Sequence, residues 1–325
     1  MQRRFFCLAM AGAALLAAAP VPAAEAFPDR PVTLVVPFPP GGPTDALARR
    51  LADGLKDQLK QTVVVENRGG AGGNIGAEHV ANATPDGYTI LFGTSGPLAI
   101  NVSLYRNQQY DPQKSFAPVI RIGHLPNILV VHPSLPVYNA QELIAYAKQH
   151  PDRLSYASSG NGASSHLAGI LFNKMAGTNI LHVPYKGTGP ALNDLLGGQV
   201  SMSFTDILTA LPHVQAGTLR AIGLASAERS DALPDLPTLA EQGLAGYDVS
   251  VFFGIVAPKG TPPDVVGTLN RAFVAALADP GVKQTLRKQG IVEADDQTPQ
   301  GLATFIAAQV PKWRAVIQEA HVAMD

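Results

Sequence analysis

Strand-like and helix-like segments alternate along most of the chain, and this alternation strongly limits the folds that it can adopt. Short apolar runs predict strands at residues 32–36, 62–65, 89–92, 128–131, 154–157, 182–183, 201–204, 221–225 and 254–257. Helical spacing and helix-start signals predict helices at residues 45–59, 74–83, 140–149, 164–176, 190–196, 208–216, 263–277, 280–289 and 299–319. The order indicates an α/β fold with parallel sheets and helices on both faces. Ligands of such sheets bind at the carboxyl ends of the strands.

Residues 1–26 have the pattern of a signal peptide. Arg3 and Arg4 precede an apolar run at residues 5–19, and Ala-Glu-Ala at residues 24–26 provides a cleavage site, so we expect the mature chain to begin at Phe27. The apolar run is shorter than the about 20 residues that span a bilayer, which argues against a membrane anchor. The only cysteine, Cys7, lies in this segment. The mature chain is therefore expected to lack disulfides and cysteine-based metal sites.

The charge balance limits the classes of ligand. Subtracting Arg3, Arg4 and Glu25 from the 24 basic and 25 acidic residues leaves 22 and 24, a net charge of −2. This balance argues against nucleic acids and anionic membranes as partners. Charged residues make up 15% of the chain, so we expect any anionic ligand to be held mainly by dipoles.

Three loops at predicted strand ends share glycines, small hydroxyl side chains and a following helix start. The first, at residues 37–44, contains the pair Gly41 and Gly42, and the others span residues 93–97 and 158–166. Unpaired N–H groups at a helix start attract anions. Such loops also simply turn the chain and cap helices. Three of them in separate βα units favour one shared anion-binding cleft.

Enzyme and metal sites find little support in the sequence. Neither the loop at residues 93–97 nor that at residues 158–166 has the Gly-x-Ser-x-Gly spacing of a serine hydrolase, and Ser165 and His166 are neighbours that point in different directions on a helix. The glycines at residues 70–76 deviate from the dinucleotide pattern. The eight histidines are scattered. We therefore expect no catalytic residues, no metal and no cofactor.

An ordered set of motifs resembles the extracytoplasmic solute receptors of tripartite tricarboxylate transporters, the Bug or TctC-like family. The motifs are VVPFPPGGPTD at residues 35–45, VVENRGGAGGNIG at 64–76, PDGYT at 85–89, YASSGNG at 156–162, HVPYKGTGPA at 182–191, LLGGQV at 195–200, LPDLPT at 233–238 and APKGTPP at 257–263. The resemblance covers essentially the whole mature chain.

The resemblance implies a two-lobed type II periplasmic binding protein fold with the ligand in the cleft between the lobes. Lobe 1 should contain residues 27–125 and 250–325, and lobe 2 residues 126–249. The implied function is capture of a small carboxylate (a di- or tricarboxylate, an aromatic acid or an acidic amino acid) in the periplasm. A non-enzymatic, monomeric receptor would then deliver it to the membrane permease subunits of the transporter.

The implied binding site combines the three loops with the end of a later strand. We expect ligand contacts from Phe38, Gly41, Gly42, Thr44, Thr94, Ser95, Ser159, Asn161, Gly162, Ser165 and Asp206. Asp206 has two interpretations, because it could face the cleft or cap the helix that begins near Leu208. Family members often have Phe-Asp-Asn or Phe-Asp-Ser here, and Phe252 stands where tryptophan is frequent, so the ligand stays open.

Two other functions remain open at this stage. A periplasmic sensor would present the same kind of ligand to a signalling partner. A secreted α/β hydrolase would chemically alter its ligand, whereas a receptor would release it unchanged.

Overall fold

The computed structural model describes residues 27–319, so the predicted signal peptide lies outside the described residues. The strands of this part are β1 Val32–Val36, β2 Val63–Asn67, β3 Thr89–Thr94, β4 Phe116–Val131, β5 Ser155–Ser158, β6 Leu181–Pro184, β7 Met202–Asp206, β8 Arg220–Leu224, β9 Ser250–Pro258 and β10 Val292–Glu293. Its α-helices are α1 Pro43–Leu59, α2 Asn74–Ala81, α3 Asn101–Leu104, α4 Ala140–Gln149, α5 Ser164–Ala176, α6 Thr188–Leu196, α7 Ile207–Gln215, α8 Pro263–Ala278, α9 Pro280–Lys288 and α10 Pro299–Glu319. Every predicted strand and helix overlaps one of these, whereas β10 and α3 were not predicted.

The strands form one continuous, mixed sheet in the order β2-β1-β3-β9-β4-β7-β5-β6, and β8 and β10 also pair with β4. Strand β1 is parallel to β2 and β3, and β5 is parallel to β6 and β7. Strand β9 runs antiparallel to β3 and β4, and β7, β8 and β10 run antiparallel to β4. The prediction of parallel sheets therefore does not hold at the centre of the sheet, where β4 and β9 run antiparallel.

Strand β4 joins the two halves of the sheet. Its first part pairs with β9 as far as Pro126, opposite Ser250, and from Asn127 onward it pairs with β7 and β8. The chain returns to the first half of the sheet at Val249, whose N–H donates to the Ala225 carbonyl. Strand β9 begins at the next residue, Ser250. Both crossings thus lie beside each other, near the predicted lobe boundaries.

Helix α1 fixes the position of the first loop at the end of β1. Its residues Leu47, Leu51 and Leu55 are fully buried in the same apolar cluster as Leu34 and Val36 of β1. Burial of each leucine side chain contributes roughly 1.5–3 kcal/mol. The N-terminus of α1 is thereby held against the carboxyl end of the strand.

Helix α10 packs against the central strand β4 and also reaches α5. Its apolar residues recur at helical spacing, and Val310, Trp313 and Ile317 are buried, while Phe305 packs against the same cluster from a partly buried position. No helix within residues 27–319 combines the length and the hydropathy needed to cross a membrane.

Candidate functional site

A cavity of about 470 Å³ lies where the ends of β3, β5 and β7 meet the crossing strands. Nine of the eleven predicted site residues line it: Phe38, Thr44, Thr94, Ser95, Ser159, Asn161, Gly162, Ser165 and Asp206. The structure does not place Gly41 and Gly42 in its wall. The three predicted loops therefore do converge on one space.

Asp45 organises the first loop and explains the position of Gly41. Its buried carboxylate accepts hydrogen bonds from the Gly41 N–H at 2.9 Å, Asn67 Nδ2 at 2.8 Å and Arg49 Nε at 3.0 Å. The bond from Arg49, together with those from Gly41 and Asn67, lowers the pKa of Asp45 to about 2 against the opposing effect of burial. The Gly41 N–H is occupied by this carboxylate, and a ligand contact through Gly41 stays a prediction.

Gly41 and Gly42 shape the loop from outside the cavity. Gly41 has a φ of 89°, which a residue with a side chain adopts only with strain. Gly42 is the extended N-cap residue of α1, and its carbonyl accepts the Ala46 N–H. Thr44 does line the cavity, and its N–H lies in the first turn of α1, where it has no carbonyl partner within the helix.

Thr94 and Ser95 have different surroundings at the end of β3. The Ser95 hydroxyl donates to the Ser250 carbonyl at 3.3 Å and accepts the Phe252 N–H at 2.9 Å. Ser95 therefore ties β3 to the start of β9. Thr94 is buried and makes no side-chain hydrogen bond to another described residue, which leaves its hydroxyl available to an occupant of the cavity.

The third loop is held by hydrogen bonds among its own residues. Ser165 Oγ accepts the Ser159 N–H at 3.0 Å and lies 3.0 Å from Ser159 Oγ, while the Gly162 N–H donates to His166 Nδ1 at 3.0 Å. The Gly162 N–H is thus already used within the protein. Donors that remain at this end of the cavity include the Asn161 side chain and the first-turn N–H groups of α5.

Two stacked imidazoles support this loop from behind. The rings of His166 and His182 lie 3.9 Å apart between centroids, and His182 also stacks on Tyr156 at 4.9 Å. Burial lowers the pKa of each histidine to about 4, and His182 adds to the effect on His166. Both rings are therefore neutral near pH 7, as required for His166 Nδ1 to accept the Gly162 N–H.

Asp206 combines both of the roles that were considered for it. Its carboxylate caps α7 by accepting the Thr209 N–H at 2.8 Å and the Thr209 hydroxyl at 2.7 Å. The same residue lines the cavity. A carboxylate in the wall favours a ligand hydroxyl or ammonium nearby and disfavours a second ligand carboxylate at that point.

Asn127 and Thr205 line the cavity but were not among the predicted site residues. They lie on the paired strands β4 and β7 and are 1% and 4% exposed. Asn127 Nδ2 and Thr205 Oγ1 are buried without a hydrogen-bond partner in the structure. A polar residue immediately before the apolar run at residues 128–131 was the available signal for Asn127.

The wall of the cavity is almost uncharged. Asp206 is the only ionisable acid or base among the described residues that line it, apart from the phenol of Tyr105. The helices α1, α5 and α6 present their first turns to it through Thr44, Ser164 and Thr188. Helix N-termini and neutral donors can together hold an anion without a basic side chain.

Comparison with known proteins places this geometry in a defined group. The profile of the tripartite tricarboxylate transporter family receptors (TctC) matches residues 47–322. The periplasmic binding protein BugD is 41% identical, with a TM-score of 0.80 over 92% of this chain and 100% of BugD. Rpa4515 of R. palustris, solved with adipate, is 40% identical, with a TM-score of 0.82 over 91% of this chain and 99% of that one.

MatC (Rpa3494) of Rhodopseudomonas palustris, solved with bound malate, is 36% identical, with a TM-score of 0.79 over 90% of this chain and 100% of that chain. The likeness of these structures confirms the predicted α/β, two-lobed fold of a periplasmic binding protein.

Proposed function

The chain belongs to the tripartite tricarboxylate transporter receptor family, and from this membership we propose that it captures a small carboxylate in the periplasm and delivers it to a membrane permease. It is a solute-binding receptor of the Bug type. The observation that carries the proposal is the cavity itself, where neutral donors and three helix N-termini converge and no described lining residue is a lysine or arginine.

The proposed ligand carboxylate accepts hydrogen bonds from the Thr94 hydroxyl and from first-turn N–H groups of α1, α5 or α6. Hydrogen bonds to a charged group contribute about 1.5–3 kcal/mol each. Micromolar binding corresponds to a free energy of about 8 kcal/mol. Two or three such hydrogen bonds reach this value only when closure of the lobes removes water from the cavity. Asn127 Nδ2 and Thr205 Oγ1 are two further groups that a polar ligand would satisfy.

Adipate and malate, the ligands of two relatives, are the first candidates. Asp206 distinguishes between them, since its carboxylate would accept a hydrogen bond from the hydroxyl of malate. We infer that the preferred ligand carries a hydroxyl or ammonium group beside its carboxylate, or keeps a second carboxylate away from Asp206.

Binding is proposed to close two lobes, with lobe 1 at residues 27–125 and 250–325 and lobe 2 at residues 126–249. The pairing change between Pro126 and Asn127 and the return at Val249 and Ser250 supply the two adjacent crossings that a hinge requires. Closure follows because only the closed state makes both sets of ligand contacts. We propose that the exported receptor acts as a monomer.

Binding without catalysis also fits the serine and histidine residues near the site. Ser158 Oγ lies 2.6 Å from His182 Nε2, but Ser158 is fully buried and is not part of the cavity wall. His166 Nδ1 accepts a backbone N–H and the Ser165 hydroxyl bonds to Ser159. Neither pair joins an accessible nucleophile to a free base, as a hydrolase needs.

The test is isothermal titration calorimetry of the mature protein with adipate, malate, aspartate, glutamate and benzoate. We expect saturable binding of at least one acid, which mass spectrometry then recovers unchanged. Thr94→Val should lower the affinity roughly tenfold to a hundredfold, since it removes one charge-assisted bond. Thr89→Val, at the other end of the same strand, is the matched control.

Conversion of the bound acid to a product would contradict the receptor proposal, and equal affinity of the Thr94 and Thr89 variants would contradict the site. Delivery is tested by uptake of the labelled acid into cells that contain the permease, with and without the receptor. Uptake that does not depend on the receptor would favour a sensor.

A further inference from the structure

A second cavity, of about 170 Å³, lies behind the crossing strands. Val251 and Phe253 of β9 line the main cavity, whereas the alternate residues Ser250 and Phe252 line the second one. Since successive side chains of a strand point to opposite faces, the two cavities lie on opposite sides of β9. His124, next to Leu125 on β4, follows the same alternation.

Arg121 is the most unusual residue in this second cavity. Its guanidinium lies 3.8 Å from the centroid of the Phe305 ring and makes no hydrogen bond to another described residue. Its Nε atom is buried without a partner. Stacking on an aromatic ring holds a guanidinium plane in one orientation, and an oriented arginine fork binds carboxylates in two parallel hydrogen bonds.

Two further unpartnered groups line the same cavity. His124 Nδ1 and Ser250 Oγ are both buried without a hydrogen-bond partner. A buried polar group that lacks a partner costs about 1–3 kcal/mol, and more when it is charged. Arg121 Nε, His124 Nδ1 and Ser250 Oγ are three such atoms on residues that line one small cavity, and a polar ligand there would provide their missing partners.

Four carboxylates also line this cavity, together with the ammonium group of Lys312. Glu228, Glu293 and Asp295 make no ion pair with another described residue, whereas Asp248 is paired with Lys312 at 3.0 Å. Asp295 and Glu228 are exposed, and Glu293 is partly buried. The cavity therefore offers hydrogen-bond donors around Arg121 and free carboxylates toward the solvent.

We propose that this cavity is a second binding site, separate from the cleft, for a small α-amino acid. The ligand carboxylate binds to Arg121, His124 and Ser250, and the ammonium group faces Glu228, Glu293 and Asp295. A volume of about 170 Å³ is smaller than the roughly 300–1,000 Å³ of pockets for drug-sized ligands, so glycine, alanine and serine are the first candidates. This inference does not depend on the ligand proposed for the cleft.

The chain contains its own reporter of this site. Trp313 is the single tryptophan of the sequence, it lines the second cavity, and its indole N–H donates to Gln309 Oε1 at 3.1 Å. A nitrogen-15 NMR spectrum of the protein therefore contains one indole signal. Titration with L-alanine should shift this signal saturably, while propionate, which lacks the ammonium group, and ethylamine, which lacks the carboxylate, should bind at least about tenfold more weakly.

Variants assign the shift to a site. Arg121→Gln should abolish it, and Arg50→Gln, which removes an arginine that pairs with Asp279, is the matched control. If circular dichroism shows that Arg121→Gln is unfolded, Ser250→Ala replaces it and should weaken alanine binding several-fold. The cleft variant Thr94→Val should retain the shift.

The absence of a shift with glycine, alanine and serine would overturn the proposal. A shift that survives in folded Arg121→Gln would also overturn it, as would an unchanged alanine affinity in Ser250→Ala if Arg121→Gln is unfolded. So would a shift that disappears in Thr94→Val, because binding in the cleft would then be its cause.

Discussion

Replacement of Asp45 by asparagine tests how the first loop is built. Asp45→Asn keeps the size of the side chain but removes the negative charge that accepts bonds from Gly41, Asn67 and Arg49. The new amide also places a donor opposite one of these donors. We expect the loop to loosen and the protein to lose stability.

The lowered pKa of Asp45 gives the size of the effect. A decrease from 3.8 to about 2 corresponds to roughly 2.4 kcal/mol at 1.36 kcal/mol per pKa unit. The Arg49 side chain is 52% exposed, so solvent screening reduces its share, and we expect a loss of about 1–2 kcal/mol. For a chain of this size that loss lowers the melting temperature by about 2–8 °C.

The same substitution changes the response to acid. Because the folded pKa of Asp45 lies below the unfolded value, its contribution is complete above pH 3.8 and disappears as the pH falls toward 2. Urea unfolding at pH 7 and at about pH 3 should therefore show a smaller acid-induced loss for Asp45→Asn than for the wild type. The control is Asp53→Asn, an exposed position on the same helix. The reasoning is refuted if both variants have the same stability and the same acid response.

Three further predictions concern the site. The folded pKa values of His166 and His182 lie near 4, below the ordinary 6.5, so the free energy of unfolding should fall as the pH decreases from about 6.5 to 4. Urea unfolding across this pH range measures the change, and a constant stability would contradict the prediction. Asn127→Leu replaces a buried amide whose Nδ2 has no partner by an apolar side chain of similar size. The stability should be kept or increased, while ligand affinity falls at least about tenfold. Unchanged affinity in calorimetry would show that Asn127 does not contact the ligand. Asp206→Asn retains an acceptor for the cap on α7 but removes the charge from the cavity wall, so the affinity for adipate should rise relative to that for malate. A ratio of the two affinities equal to that of the wild type would show that Asp206 does not select the ligand.

Local patterns predicted much of the fold. Helices α4 and α5 have the bounds that were predicted, and α10 begins at the predicted Pro299, because the Asn139 cap, apolar spacing and the signals of Gly177 and Pro299 agree with the helices there. Strand β4 was predicted only at residues 128–131. Its earlier part contains Pro118 and Pro126, which usually mark the end of a strand, and it tolerates Pro118 next to a register shift.

The site was predictable where one loop contributes several groups, and less so where distant strands meet. The loops at residues 37–44 and 158–166 bear their signals locally, and both reach the cavity. Asn127 and Thr205 become neighbours only through the pairing of β4 with β7. The use of the Gly41 N–H by Asp45 depends likewise on how α1 packs, which no loop motif specifies.

A crystal structure of the complex with the tightest-binding acid tests the central claim most directly. The claim predicts a ligand carboxylate in the main cavity, about 2.7–3.2 Å from the Thr94 hydroxyl and from a first-turn N–H of α1, α5 or α6, with no lysine or arginine side chain in contact. A carboxylate bound by a basic side chain, or one bound outside this cavity, would contradict it.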